Sequence, residues 1–436
     1  MLQTLVHIPH PYSGQPIFGF GWALAVWAVF TTVLLTVLVW RRGFDAEVRA
    51  YLPLLAMIGL VIWLVLPLLC DGEGLPIRGY GVMLLAGVTS GVGLAAYRAR
   101  RMGLDPDMIV SLAFWVFIAG IFGARLFYIV EYWPDFQKDT VGESFLEMLT
   151  FTKGGLVVFG AAIGAGAALV AFTRRHRLPG LALADLIAPS VMLGLALGRV
   201  GCFCNGCCWG GTCDLPWAVE FPFRSPPHVR EVEKAEIYLH GLKFESKDDA
   251  RQAIVEPIIK SIEPGSAAEQ AGLRAGDRIV RIYGPGLEEP LEIKSADDAE
   301  HALLAIDGAG RRIEFFTADS DAPRVMTLRG APEHSLAIHP AQIYAAIDAA
   351  LLCLFLLAYY PHRRHDGEVF ALMVTIHPIS RYVQEIIRTD ESGVFGTGLS
   401  ISQNLSLLML LGAAGLWYHL SKRPRGSVWP PQTISA

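Results

Sequence analysis

The stretch that decides the fold is Leu186–Gly211, LIAPSVMLGLALGRVGCFCNGCCWGG. Its first part is an uncharged run of apolar and small residues that ends at Arg199. A guanidinium keeps its proton, and an arginine near membrane depth costs about 2.5–3.5 kcal/mol on insertion scales, so it faces a polar pathway or an anion and not lipid tails. Glycines at 194, 198, 201, 206, 210 and 211 let backbones approach closely and let the chain leave the helix. Two readings of Arg199 stand at this point. It is a cradle for a phosphate or other anionic head group, or it snorkels to the interface or pairs with a carboxylate of another helix.

Apolar runs of the same kind recur outward from this stretch. The chain has 436 residues, 53% of them hydrophobic, and a mean hydropathy of +0.41, too apolar for a soluble enzyme of this length. About 20 apolar residues span a bilayer. Spans are predicted near 19–40, 50–69, 79–98, 108–130, 154–173, 181–203, 339–360, 367–387 and 400–419. Arg41 with Arg42, Arg98 with Arg100 and Arg101, Arg174 with Arg175, Arg363 with Arg364, and Lys422 with Arg423 and Arg425 fall at alternate helix ends. Positive loops stay inside, so the N-terminus is expected outside and the C-terminus in the cytoplasm. The first apolar run reads as a span and not as a cleavable signal. The fold class expected is therefore an all-α polytopic membrane protein of about nine spans, in a bacterial inner membrane. Residues 224–335 interrupt it with a charged, non-spanning insert the size of one small domain. No nucleic-acid partner is expected.

Other side chains could carry chemistry. Arg381, inside FALMVTIHPISRYVQEIIR, is a second interior arginine, with Glu385 one turn on and Arg388 beyond. His377 lies one turn before it, and an intramembrane histidine is either a functional group or a helix-packing hydrogen bond. Arg125, in FGARLFY, reads as an interfacial anchor beside Tyr128 and Tyr132 more readily than as a catalytic group. His339, Gln342 and Tyr344 form HPAQIY at the start of a span, placed to meet a head group, to move a proton or to anchor the interface. Tyr80 begins another span at the same level. Five of the seven cysteines lie at 202, 204, 207, 208 and 213, and Cys70 falls at a helix end on the same side. Such spacing suits zinc, but an oxidising outer side favours disulfides among Cys70, Cys202, Cys204, Cys207, Cys208 and Cys213.

Six motifs in order resemble the prolipoprotein diacylglyceryl transferases of bacteria: LPIRGYGVML, GARLFY, GRVGCFCNG with DLPWAVEFP, HPAQIY, SRYVQEIIR and GLSISQNLSLLMLL. The resemblance covers roughly 73–223 and 336–420. It implies transfer of the diacylglyceryl group of phosphatidylglycerol to the lipobox cysteine of an exported prolipoprotein, with glycerol phosphate leaving and no metal or soluble cofactor. Carried over, it gives Arg199 and Arg381 to the lipid phosphate and Glu385 to orienting Arg381. Tyr80, Arg125, Asn205, Gly206, His339, Gln342 and Tyr344 go to the site lining. The family usually has asparagine at the position of Cys202, glutamate at that of Cys207, and a histidine or tyrosine proposed for proton abstraction at that of Phe159. His339 and His377 are the substitute proton acceptors. A non-catalytic membrane scaffold is the alternative these departures allow. An intramembrane metalloprotease needs HExxH, which the sequence lacks.

The insert has its own likeness. SIEPGSAAEQAGLRAGDRIVRIYG resembles a bacterial PDZ domain, with a short helix opened by Gly265–Ala268, a strand at Ile279–Ile282 and a helix near 295–305. Such domains bind extended peptides by adding a strand. The domains expected are thus 1–72, an extra helix pair; 73–223 and 336–436, the two parts of the core; and 224–335, a periplasmic α+β PDZ-like insert that takes a peptide or acts as a spacer.

Overall fold

The computed structural model describes residues 3–10, 16–71, 74–136, 148, 157–245, 255–285, 289–305, 310–328, 333–388 and 398–429. The chain divides into two compact units. One comprises Met1–Val82 and Gly201–His339, the other Met83–Val200 and Pro340–Ala436.

The second unit is helical. It holds most of α3 (Gly79–Arg101) and α6 (Gly180–Asn205), with α4 (Pro106–Glu131), α5 (Val158–Arg175), α10 (Ala341–Tyr359), α11 (Glu368–Ile387) and α12 (Ile401–Ser421). Local chemistry sets the ends. Asp105 caps α4, accepting from the Asp107 N–H, with Pro106 in the first turn. Ser400 and Gln403 close a reciprocal capping box at the start of α12. Gly367, at φ +100, turns the chain into α11 in a conformation that favours glycine.

Packing follows residue size. Gly123 of α4 meets Gly160 and Gly164 of α5 so closely that a Cβ at any of them would collide with a facing backbone. Helix α6 sits at the centre. Ala188 and Met192 join Leu352, Leu356, Val369 and Met373, while Leu183 and Leu186 join Ala95, Ile109, Leu112 and Phe172. Its apolar window is 56% buried, against 22% for that of α3. That explains why α6 tolerates an uninterrupted apolar sequence on all sides.

The described residues hold helices at all nine predicted positions, and five of these are long and apolar enough to cross a membrane: Trp22–Arg41, Gly79–Arg101, Pro106–Val130, Gly180–Asn205 and Ala341–His362. Leu55–Leu68 is apolar but shorter. A polytopic membrane protein is therefore the architecture.

The first unit contains α1 (Trp22–Arg42), α2 (Ala46–Leu60) and a mixed insert. Helix α2 runs on through a π-helical segment, Val61–Val65, into a last turn, Leu66–Leu68. Pro67 has no N–H to give, and the Ile62 carbonyl accepts from Gly19 at 3.1 Å instead. Strands β1 (Thr4–Ile8) and β2 (Leu75–Arg78) pair antiparallel.

The insert enters and leaves through a neck. Phe221 exchanges hydrogen bonds with Ser335, Phe223 donates to Glu333 at 2.8 Å, and Val219 pairs with Ile338. Its two ends are therefore adjacent, the arrangement in which an inserted domain leaves a parent fold intact. Within it, α7 (Pro226–Glu233), β3 (Leu242–Phe244), β4 (Ile259–Ile262), α8 (Ala267–Gln270), β5 (Ile279–Tyr283), β6 (Leu291–Glu292), α9 (Ala296–Ala305), β7 (Arg312–Thr317) and β8 (Ser320–Thr327) enclose one apolar core. The sheets run β3-β4 and β6-β5-β7-β8, antiparallel throughout. Ser266 caps α8, so the short helix and the strand after it stand where the GSAA and GDRIV segments predict.

Candidate active site

Helix α11 supplies one polar stripe. His377, Arg381 and Glu385 follow at four-residue spacing, with Arg388 a further turn on, and so share a face. Glu385 is buried and accepts from three donors: Arg381 at 2.7 Å, Arg388 at 3.3 Å and the Ser400 hydroxyl at 3.1 Å. A second Arg381 nitrogen donates to Ser402 Oγ at 3.0 Å. The start of α12, fixed by its capping box, thus holds the guanidinium plane from one side and Glu385 from the other.

Arg199, from α6, and Arg381 both act electrostatically on His377, and Asp348 of α10 opposes them. The Ser380 hydroxyl donates to Asp348 at 2.7 Å. The Nδ1 of His377 is buried and has no hydrogen-bond partner among the described residues. Among the described residues, Arg381 and Arg388 meet Glu385, while Arg199, Arg381 and Asp348 lie within electrostatic reach of His377. Such a region suits an anionic group.

The sequence offered Arg199, Arg381, Glu385 and His377 as candidates, and it did not single out Asp348, Ser400 or Ser402, which the structure sets beside them. Asp348 had a usable signal, since it is an acid inside the apolar run AAIDAALLC. The two serines had none beyond their place at a helix start.

The remaining candidates are described within their own units. Arg125 is buried, donates to the Met148 carbonyl at 2.9 Å and lies over the rings of Tyr128 and Phe136. Gln342 is buried and Tyr344 half-buried in the first turns of α10. In the first unit, Tyr80 is exposed in the first turn of α3, and the Asn205 carbonyl accepts from Gln3. Gly206 has φ +75, with Phe221 and Pro226 packed where a side chain would go. His339 pairs through its backbone with Gly210 and Gly211. The Phe159 side chain lies outside the described residues.

The cysteines correct one expectation. They stand as thiols, without the disulfides anticipated among Cys70, Cys202, Cys204, Cys207, Cys208 and Cys213. Cys202, Cys207 and Cys208 instead converge, their sulfurs all within 4.8 Å of one another. The turn after α6 folds back on the helix end and brings three sulfurs to one place, where a disulfide needs only two.

A multi-helix membrane protein with an arginine-bearing polar cluster among its helices is the class these observations define. The chain belongs to the prolipoprotein diacylglyceryl transferase family, whose sequence model matches residues 67–419. It is 33% identical over 442 residues to the phosphatidylglycerol–prolipoprotein diacylglyceryl transferase of Rhodopirellula baltica, covering 94% of this chain and 87% of that one. The transferase of Clostridium tetani is 35% identical over 345 residues, 79% of this chain and 94% of its own length. That of Synechococcus elongatus is 37% identical over 161 residues, 37% of this chain and 54% of its own.

Proposed function

We propose that this chain moves the diacylglyceryl group of phosphatidylglycerol onto the lipobox cysteine thiol of exported prolipoproteins, releasing glycerol phosphate. The reading is supported by Arg381, held by Glu385 and Ser402, with Arg199 of α6 within electrostatic reach of His377 one turn before it. The thiolate attacks the glycerol carbon next to the phosphate. The C–S bond forms as the C–O bond breaks, and the leaving phosphate gains negative charge. Fixed guanidinium groups in a dry site favour that charge more in the transition state than in the ground state. Arg199 and Arg381 bind the phosphate, Glu385 positions Arg381, and His377 and His339 are the proton acceptors.

The same reading sets the topology. All nine helices span a bacterial inner membrane, with the N-terminus and the insert outside and the C-terminus in the cytoplasm, as the basic helix ends favour. The insert, PDZ-like in its run of short helix, strand and later helix, binds an extended peptide.

The test uses purified full-length protein in detergent with phosphatidylglycerol and a lipobox peptide, following release of glycerol phosphate. Turnover that collapses in Arg199→Ala and Arg381→Ala supports the reading. Turnover that survives both removes the site assignment, and none in the parent chain removes the function.

A further inference from the structure

We propose that Asp348 and Ser380 are positioning residues for the transfer, acting through His377 so that its ring takes the proton of the acceptor thiol. This rests on the transferase reading, both for the reaction and for His377 as a proton acceptor.

Asp348 is out of place in its own sequence. It stands in the apolar run AAIDAALLC of α10, where an ionisable side chain is costly and marks function by default. Its neighbour is on α11. The two helices follow one another across a short turn, and Leu352 and Leu356 of the first pack with Val369 and Met373 of the second. Asp348 lies eleven residues before the end of α10 and Ser380 twelve after the start of α11, so the hairpin brings them level. The Ser380 hydroxyl donates to Asp348 Oδ2 at 2.7 Å and lies 3.0 Å from the His377 carbonyl oxygen. Asp348 is thus fixed to the turn of α11 that carries the histidine. Asp348, Ser380, His377, Arg381 and Arg199 are all half-buried, so none of these residues is sealed in a core.

The surrounding charges decide what Asp348 does. Arg199 of α6 and Arg381 of α11 oppose positive charge on the His377 ring, and Asp348 of α10 favours it. In the transferase reading both guanidinium groups are needed for the phosphate. A ring that becomes imidazolium beside them therefore needs an acid close by. Glu385 is engaged by Arg381, Arg388 and Ser400, which leaves Asp348 for the ring. The thiol proton moves to the imidazole, the sulfur attacks the glycerol carbon, the C–S bond forms and the C–O bond breaks. Glycerol phosphate leaves with the electron pair and one more negative charge, and takes up the proton from the ring. The ring returns neutral, Asp348 stays ionised throughout, and no oxidant or reductant enters. An Asp348 that only joined α10 to α11 would be indifferent to the acidity of the acceptor.

The experiment uses the full-length chain in detergent with phosphatidylglycerol and two lipobox peptides, one carrying cysteine and one selenocysteine. A selenol is already ionised at neutral pH, so it attacks without a proton acceptor. With the thiol, His377→Gln should lower kcat about 10²–10⁴-fold, as losing a positioned proton acceptor does. Asp348→Asn, which keeps an oxygen for Ser380, should lower it about tenfold with KM near the parent's. The double variant should lose no more than His377→Gln alone, because the two act as one unit. With the selenol, both single variants should come within about threefold of the parent. Arg381→Ala should stay slow with either peptide, because it acts on the phosphate. Ser380→Ala should show the same dependence on the acceptor at smaller size, and Ser380→Thr, which keeps the hydroxyl, should restore the rate. Thermal unfolding in detergent checks each variant, and the Ser380 pair decides the matter if Asp348→Asn does not fold. Equal losses on thiol and selenol, losses that multiply in the double variant, or parental turnover in Asp348→Asn or His377→Gln overturn the proposal and leave the transferase reading standing. A parent chain that transfers to neither peptide sinks that reading and the proposal with it.

Discussion

The helical unit holds two clusters of arginine, one near each end of α6, and they treat their charge differently. Asp185 and Arg199 mark them, fourteen residues or about 21 Å apart along the helix. At the Asp185 end, the Tyr360 ring lies between Arg98 at 4.2 Å and Arg363 at 3.8 Å. Arg363, 1% exposed, donates to the Tyr360 carbonyl, the Ser427 hydroxyl and the Trp429 carbonyl, with Asp185 at 3.7 Å and Asp366 at 3.9 Å. Arg98 donates to the Leu186 carbonyl, and Asp185 accepts from the Gly367 and Phe370 N–H groups. These partners are internal and the cluster ties α3, α6, α10, α11 and the tail together, although Arg98 Nη2 and Arg363 Nε are buried without a hydrogen bond among the described residues. At the Arg199 end, Arg381 is 15% exposed, Glu385 is shared between Arg381 and Arg388, and the buried Nδ1 of His377 lacks a hydrogen bond among the described residues. Arginine inside a membrane protein thus serves two ends. Where carbonyls, rings and acids surround it, it holds helices together; in the proposed transferase reading, Arg199 and Arg381 hold a lipid phosphate.

The comparison breaks most visibly at Asp185. Asp185→Ala strips two backbone N–H groups of their acceptor and leaves Arg363 buried without its closest acid. Breaking a buried pair this way costs about 3–5 kcal/mol. Thermal unfolding in detergent should show that loss, while turnover per folded molecule stays near the parent's. An inactive variant of parental stability would merge the two clusters into one function. The next effect is the mirror image. Arg381→Ala or Arg199→Ala should lower turnover about 10²–10³-fold, as losing one fixed donor to a developing anion does. The melting temperature should change little, because Glu385 keeps Arg388 and Ser400. Arg381→Lys should not restore the rate, since an ammonium lacks the planar fork that meets Glu385 and Ser402 together.

Much of this was legible before any coordinates. Long apolar runs give helices almost regardless of context, and the predicted span 367–387 meets α11 at Glu368–Ile387. Arg381 and Glu385 were legible as a pair because one helical turn fixes their spacing. The Asp185 cluster was not. Arg98 and Arg363 read as members of the basic runs Arg98–Arg101 and Arg363–Arg364, which mark helix ends facing water. The structure buries Arg98 and Arg363 while Arg101 stays exposed. Composition reports how many charges end a helix, whereas helical phase and the neighbouring helix decide which one turns inward. Asp185 was hidden for the same reason, because its partners lie more than 180 residues away. The cysteines mislead differently. Spacing in sequence admits ion and disulfide alike, and only the backward turn at Gly206 shows three sulfurs meeting.

A smaller test sharpens the Arg199 end. Ser402→Ala removes one hydrogen bond to a charged group, worth about 1.5–3 kcal/mol where fully made. Arg381 keeps Glu385, so turnover should fall about tenfold or less, with a raised KM if the hydroxyl mainly steadies the phosphate-binding pose. A loss as large as that of Arg381→Ala would show that Ser402 meets the substrate itself.

The smallest effect on either cluster comes from Glu231, a buried acid of the insert whose contacts set it apart from both. One of its oxygens accepts from the Leu336 N–H at 2.9 Å, and the other has no hydrogen bond among the described residues. Burial pushes its carboxyl up to about 7 from the usual 4.5, against the Leu336 hydrogen bond and with help from Glu236. Asp185 and Glu385 have guanidinium partners close by, and Glu231 shows what burial does to an acid held mainly by a backbone N–H. Between pH 4.5 and 7 the folded insert holds a proton that the unfolded chain has lost. The unfolded state then binds fewer protons, so stability is greatest at low pH and declines as pH rises through that window. Hydrogen exchange on the full chain, corrected for intrinsic rates, should show insert segments better protected at the acid end of the window than above it. Glu231→Gln keeps an acceptor for Leu336 but cannot ionise, and it should flatten that dependence without altering exchange in α6 or α11. An unchanged slope in the variant would assign the dependence to another group.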